Sequence, residues 1–544
     1  MSKESNIVYG PVGAAPVLES TAGKQLFDSL KRHGHLPQAI IDYQTKQSIS
    51  YKNLFEATCK LAHSLEEYGL KQNDVIAICS ENNLNFYKPV CAALYCGIVI
   101  APLNDSYSEG EYVNALNISE PKLIFCSKKC LPRLVGLKAR CSFIKGFVVI
   151  DSTEDINGNE CLPNFILRNS DPNFDIEKYE PRVFNSNEQV AAILLSSGTT
   201  GFPKGVMLTH KNFSILFAHA NDPVSGTQRI PGTTVLSILP YFHGFGFITN
   251  ISYIKSGIRV VMLQRFEPEA FLRAIEEYEV RSTITVPPIL IFLAKSPIVD
   301  KYNLSSLKEI ICGAAPSGRE IVEAVVKRLK VSGIRYGYGL TECGLAICTT
   351  PPNNFKIGSS GVVVPFMAVK IRDVESGKTL KPTQIGEICV KGDMLMKGYA
   401  GNEKATKEMI DEDGWLHTGD IGYFDKDGHI YIVDRIKELI KYKGFQVPPA
   451  ELEALLLHHP CVKDAAVIGI PDELAGELPA AFIVKQHGKE VTEKEIVDYI
   501  AKQVSSAKHL RGGVRFIPDI PRTAAGKIQR NLLRNMIAKK KSKL

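Results

Sequence analysis

At 544 residues the chain is longer than one hydrophobic core normally fills, so it divides into a large domain and a smaller one. Its apolar fraction of 44% and charged fraction of 23% are those of a globular protein, not a disordered or fibrous one. The formal charge of +7 is small for this length and gathers near the C-terminus, which excludes the domain-wide basic patch of a dedicated nucleic-acid binder.

The first ten residues are charged and lack the apolar core of a secretory signal. The longest apolar stretches are too short for a transmembrane segment, and the one at 283–294 is interrupted by Pro287 and Pro288. Thirteen cysteines are scattered singly with no C-x-x-C pair, which predicts free thiols in a reducing interior. From residue 24 to about 195, helix and strand alternate. Leu54, Ala57, Leu61 and Leu65 recur at three- to four-residue spacing, predicting a helix over 51–68. Apolar runs at 74–79, 97–103, 122–126 and 146–150 predict buried strands, an alternation that calls for parallel sheets with helices on their faces. Residues 151–187 are polar and weakly periodic, predicting a connection over the surface.

A strand at 190–195 leads into a glycine-rich stretch, after which strands follow at 234–239, 259–263 and 282–286, with a helix at 267–278. Residues 361–399 show short strands and turns and predict a small β subdomain. Beyond about 436 the pattern changes again. Pro448-Pro449 opens a helix at 451–459 with Leu452, Leu455 and Leu456 on one face. Strands at 465–470 and 480–484, a helix at 493–504 and a basic helix at 531–540 complete the chain. The expected fold is α/β: an N-terminal domain over 1–433, built of two α/β subdomains and a small β subdomain, then a small mobile α+β lid over 434–544.

Five motif stretches, the junction pair and two lysines carry chemistry. In LSSGTTGFPKGVMLTH (195–210), the hydroxyls of Ser196, Ser197, Thr199 and Thr200 and the backbone around Gly198 offer a concave donor surface for phosphate oxygens. Lys204 adds a point charge suited to a terminal phosphate. A plain serine- and glycine-rich turn fits the same composition, and the stretch is not the GxxxxGK[ST] loop of standard NTPases. YFHGFG (241–246) sets His243 between aromatics and glycines at a strand end, either as a packed core residue or where a ligand approaches. The small residues of CGAAP (312–316) leave room for a flat ring or make a tight turn. YGYGLTE (336–342) ends in Glu342, an oxygen ligand of the kind magnesium favours. DGWLHTGD (413–420) ends in Asp420, placed to accept from ribose hydroxyls, and Asp434-Arg435 falls at the domain junction. A lone lysine is by default solvated; Lys441 in LIKYKG and Lys527 after Ala524, Ala525 and Gly526 stand out, the latter on a loop able to deliver a cation.

In this order SSGTTGFPKG, YFHGFG, CGAAP, YGYGLTE, DGWLHTGD, VDRIKELIKYKG and GK resemble the adenylate-forming superfamily of acyl-CoA synthetases, coumarate–CoA ligases and beetle luciferases, over nearly the whole chain. IVYGP, LPNFI, GTQRIPG, DKYNLSSL, AGELPAA and LRGGVRF make it most similar to beetle luciferases and luciferase-like insect fatty acyl-CoA synthetases. The resemblance implies ATP, magnesium and coenzyme A. It implies that Ser196, Ser197, Gly198, Thr199, Thr200 and Lys204 hold the ATP phosphates. Gly313, Ala314 and Ala315, with Tyr338, Gly339 and Leu340, would surround the adenine. Thr341 and Glu342 would serve phosphate and magnesium, Asp420 the ribose, and Arg435 would follow a hinge at Asp434. Lys527 would act in adenylation and Lys441 in thioester formation after the lid rotates, with His243 gating an acyl pocket lined by Leu216, Phe245, Thr249, Leu345 and Ala346.

Two positions depart from the luciferases. They carry a serine in TETTSA or TESTSA where this chain has Leu345, and an arginine in a motif like VRFSHA where it has Leu216. Both exchanges turn a polar lining group apolar, which favours an alkyl chain at about 0.8 kcal/mol per buried methylene. The expectation is therefore a medium- or long-chain fatty acyl-CoA synthetase, with a luciferase or a hydroxycinnamate–CoA ligase as the alternatives. The terminal Ser542-Lys543-Leu544 matches a signal read by the peroxisomal import receptor, and no nucleic-acid partner is expected.

Overall fold

The computed structural model describes residues 6–13, 15–196, 203–222, 226, 229–313, 319–344, 346–352, 354–443, 445–523 and 526–541, the last four of these by backbone only. Among them the strands form four sheets. The first has eight strands in the order Gly398–Tyr399, Lys204–Thr209, Val190–Ser196, Val99–Leu103, Val75–Cys79, Leu123–Cys126, Gly146–Val149 and Glu160–Cys161. It is parallel from Val190–Ser196 to its far edge; Lys204–Thr209 and Gly398–Tyr399 join antiparallel. The second has nine strands, with a parallel centre running from Ile334–Tyr338 through Glu309–Cys312, Ser282–Thr285, Thr234–Ser237 and Arg259–Met262 to Ile40–Asp42.

The apolar runs are near-continuous because these strands are covered on both faces. Helices Ala22–Arg32, Tyr51–Glu67 and Tyr87–Cys96 lie between the two sheets: Phe27, Leu54 and Val90 share one core with Ile78 and Ile100 of the first sheet and Ile40 and Met262 of the second. The segment 151–187 is less superficial than its composition predicts. Glu160–Cys161 extends the first sheet, and Leu162, Phe165 and Tyr179 are buried in its core, a few apolar anchors sufficing to pin a polar connection.

The third sheet is five-stranded and antiparallel, ordered Ile7–Tyr9, Met367–Arg372, Gly386–Gly392, Leu416–Phe424 and Ile430–Arg435. Its last strand crosses the expected 433/434 boundary: Asp434 pairs with Ile421 and Arg435 with Asp420, so the chain leaves the large unit only after Arg435. Beyond it, Phe445–Val447, Ile440–Tyr442, Gly476–Lys485, Val462–Asp472 and Val514–Phe516 form the fourth sheet, packed with helices Pro449–His458 and Glu493–Ala501 on a core of its own. The Asp434 carboxylate accepts from the Ala450 N–H at 2.9 Å, tying the junction to the N-terminal turn of the Pro449–His458 helix.

Candidate active site

The three sheets of the large unit and the small C-terminal unit converge on a cavity of about 1110 Å³. Three backbone features shape it. Lys204 pairs with Ser196 across two antiparallel strands, so the two ends of the predicted phosphate-binding stretch stand side by side on its wall; Ser197, Gly198, Thr199 and Thr200 lie outside the described residues. The Gly244–Lys255 helix is started by His243, whose Nδ1 accepts from the Phe245 N–H at 3.4 Å. A Cβ on Gly246 would lie 2.2 Å from the Pro240 carbonyl oxygen, so only glycine lets this helix dock close enough to aim His243 and Phe245 inward. Third, Ile334–Tyr338 turns Gly337 and then Gly339 to the cavity, while Tyr338, on the other face, donates its hydroxyl to Asp420 Oδ2 at 2.7 Å.

One end of the cavity gathers charge. Lys204, Thr341, Glu342, Asp420, Arg435 and Lys527 all reach it. Lys204 Nζ lies 4.8 Å over the Tyr399 ring, and the Tyr399 hydroxyl donates to Glu342 Oε1 at 3.0 Å. Arg435 Nε is 3.2 Å from Asp420 Oδ1 across the strand pair. Burial pushes the Asp420 carboxyl up, against Arg435, the Tyr338 hydroxyl and Lys527. Burial and the Arg435 guanidinium push the Lys527 ammonium below the ordinary lysine range, while Asp420 and Glu342 pull it back. Burial, with Lys527 adding to it, lowers His243 to about 4, so its imidazole is neutral at physiological pH. Because Nδ1 accepts, the proton sits on Nε2 as a donor.

Gly313, Gly339, Leu340, Leu216, Phe245, Thr249 and Ala346 are also on the wall, and a Cβ at Gly313 would lie 2.7 Å from the Phe245 ring, which would have to shift. Ala314, Ala315 and Leu345 lie outside the described residues, as do Ser542, Lys543 and Leu544. Lys441 is not at the site: it is exposed on Ile440–Tyr442, its backbone N–H held by Glu477 Oε2 at 2.8 Å. Tyr399, placed between Lys204 and Glu342, escaped sequence reasoning because nothing local marks it.

The cavity wall is mixed in character. Leu216, Phe245, Ile248, Ile284 and Ile311 line it, and so do His219, Arg229, Ser252 and Arg335. Arg229 lies in GTQRIPG, a stretch informative in the sequence only for its likeness to relatives, and the fold carries it to the wall.

Glu342 is the buried hard-oxygen donor to which a magnesium ion is suited. A second cluster, Glu387, Cys389 and His417, has ligand atoms within 4.8 Å of one another. There His417 bridges Glu387 Oε2 at 2.9 Å and Asp411 Oδ2 at 3.3 Å, with Arg372 3.5 Å from the same Glu387 oxygen. That is a self-satisfied ion network.

Two joined units share a cavity on which lysine, arginine and carboxylate groups are opposed. The AMP-binding enzyme family matches residues 27–400, and the AMP-binding enzyme C-terminal domain matches 451–527. A luciferin 4-monooxygenase of Photuris pensylvanica is 48% identical over 544 residues, covering 100% of both chains. A 4-coumarate–CoA ligase of Petroselinum crispum is 38% identical over 519 residues, 94% of this chain and 93% of that one. The ATP-bound MatB structure from Rhodopseudomonas palustris superposes with a TM-score of 0.84 at 27% identity, covering 95% of this chain and 99% of that one. The chain belongs to the AMP-binding enzyme family and is an adenylate-forming enzyme. No helix among the described residues is long and apolar enough to cross a membrane.

Proposed function

We propose that this enzyme activates a medium- or long-chain fatty acid with ATP and passes the acyl group to coenzyme A. The acid's carboxylate oxygen attacks the α-phosphorus, the bond to pyrophosphate breaks, and an acyl-adenylate remains; the thiol of coenzyme A then takes the acyl group and AMP leaves. The observation that carries the reading is Lys527, which the small unit sets half-buried in the cavity facing Asp420 and Glu342, near His243. Joining two anions needs a preorganised cation, and a desolvated lysine acts more strongly than one in water. The Nε2–H of His243 supplies a neutral donor for a carboxylate or phosphate oxygen. Glu342, with Thr341, would hold a magnesium ion, which neutralises phosphate charge. Water exclusion by the small unit protects the adenylate. Thioester formation calls for rotation about Asp434, bringing Lys441 in as Lys527 leaves. Leu216, Phe245, Ile248, Ile284 and Ile311 support an alkyl substrate, each buried methylene contributing about 0.8 kcal/mol. Ser542-Lys543-Leu544 supports a peroxisomal location.

Pyrophosphate release with laurate and with coumarate, each with coenzyme A, tests the reading. Laurate is expected to turn over faster, and a preference for coumarate would reject a fatty-acid enzyme. A second reading, luciferin monooxygenase activity, is favoured by the 48% full-length identity to a protein of that name. Bright emission on mixing the enzyme with luciferin, ATP and magnesium would establish it in place of the first.

A further inference from the structure

One helix of the large unit, Pro287–Lys295, meets the small unit at both of its ends. At its start Val286 lies against Gly526: a Cβ on Gly526 would sit 3.3 Å from Val286 Cγ2, and Lys527 is the next residue. At its end, about 13 Å further along, Lys295 Nζ donates to the Leu457 carbonyl at 3.2 Å and to the Val462 carbonyl at 3.4 Å. Leu457 is in the last turn of Pro449–His458, where carbonyls lack helical partners and the helix dipole favours a cation. Beside it, His458 Nδ1 stands 3.5 Å from Glu320 Oε1 of the Arg319–Leu329 helix. The end from which Lys295 reaches is itself pinned. Arg328 Nη1 donates to the Leu293 and Ala294 carbonyls at 3.0 and 3.2 Å, and its Nη2 to the Ser296 carbonyl at 2.8 Å.

A short path of contacts leads from these carbonyls to Lys527. Val462 opens the strand Val462–Asp472, and two residues on, Asp464 Oδ1 accepts from Arg522 Nη2 at 2.9 Å. Arg522 Nη1 donates in turn to the Gly526 carbonyl at 2.9 Å, and the Gly526 N–H donates to the Thr523 carbonyl at 2.8 Å. The turn that carries Lys527 is thereby fixed to the strand that Lys295 holds. Lys295 itself is exposed and stands off the cavity wall. Its bonds join the two units in the present arrangement, and rotation of the small unit about Asp434 would break them. A contact made in one arrangement alone raises the population of that arrangement.

We propose that Lys295 is a positioning residue for adenylation: it holds the small unit where Lys527 faces Asp420 and Glu342, without touching either reactant. The inference rests on the proposed order of adenylation and then thioester formation, and deepens it by naming the contact that favours the first arrangement. Its test compares the wild type with Lys295→Met, which keeps the apolar stem and removes the donors. Pyrophosphate release from ATP and the acid that the enzyme activates fastest should slow about tenfold, the yield of one charge-assisted hydrogen bond, while thioester formation from supplied acyl-AMP and coenzyme A holds or rises. Lys295→Arg should recover most of the release. Glu320→Gln, which touches only the neighbouring pair with His458, should shift the two rates in the same direction and less. Brief acetylation of the free full-length enzyme, read by peptide mass spectrometry, should label Lys527 several-fold faster in Lys295→Met, with the exposed Lys426 as internal reference. Equal loss in both half-reactions, or release and Lys527 labelling both at wild-type values, overturns the proposal. Should the wild type form no thioester with any acid, transfer to coenzyme A is rejected, and release and labelling decide the role of Lys295 on their own.

Discussion

Replacing Lys527 by alanine removes the ammonium group that the small unit places against Asp420 and Glu342. A unit-charge pair at roughly 4 Å in an effective dielectric of about 20 is worth about 4 kcal/mol. At about 1.4 kcal/mol per decade, adenylation should slow about a thousandfold. Folding should survive, because Asp420 keeps Arg435 at 3.2 Å and the Tyr338 hydroxyl at 2.7 Å, and a thermal melt checks this. The assay measures each half-reaction alone: pyrophosphate release from acid and ATP, then thioester formation from supplied acyl-AMP and coenzyme A. The second should stay near the wild-type rate, since it needs Lys527 out of the site. Equal losses in both half-reactions would refute the division of labour between Lys527 and Lys441.

Lys441→Ala should show the opposite bias, with pyrophosphate release intact and thioester formation lost, because Lys441 is exposed and away from the cavity in the present arrangement. Asp420→Asn weakens the pairing with Arg435 and removes the charged acceptor proposed for the ribose; the KM for ATP should rise about tenfold, read from initial rates at varied ATP. Gly246→Ala forces a Cβ to within 2.2 Å of the Pro240 oxygen, and the displaced helix should cost about 1–3 kcal/mol in urea unfolding while lowering turnover. Stability should also depend on acid. Burial lowers His210 to about 3, against about 6.5 in the unfolded chain, so between those values the unfolded state binds the extra proton and stability falls as pH falls. Between pH 6.5 and 4 the wild type should lose about 3 kcal/mol more than His210→Gln, and parallel curves in urea titrations at those pH values would contradict it.

Much of the α/β architecture was legible in local pattern. Apolar runs and three- to four-residue spacings anticipated Val75–Cys79, Tyr51–Glu67 and Pro449–His458 to within a few residues, because burial of one face or both imposes its period directly on the chain. The polarity of 151–187 misled, since a handful of anchors such as Phe165 and Tyr179 outweigh many solvated neighbours. Taken together and in order, through the family they resemble, the motifs pointed to residues that the fold sets on one cavity wall: Lys204, Thr341, Glu342, Asp420, Arg435 and Lys527. Three matters needed the folded chain. Lys527 and Lys441 are both lone lysines, and only the position of the small unit sets one half-buried on the cavity wall and leaves the other exposed away from it. Tyr399 meets Lys204 and Glu342 across strands far apart in sequence. Arg229 reaches the wall of the cavity, although nothing in its local sequence marks it for that place. Local sequence dictates which residues form an element and which face it buries; what a side chain meets across that face depends on long-range packing, which no period records.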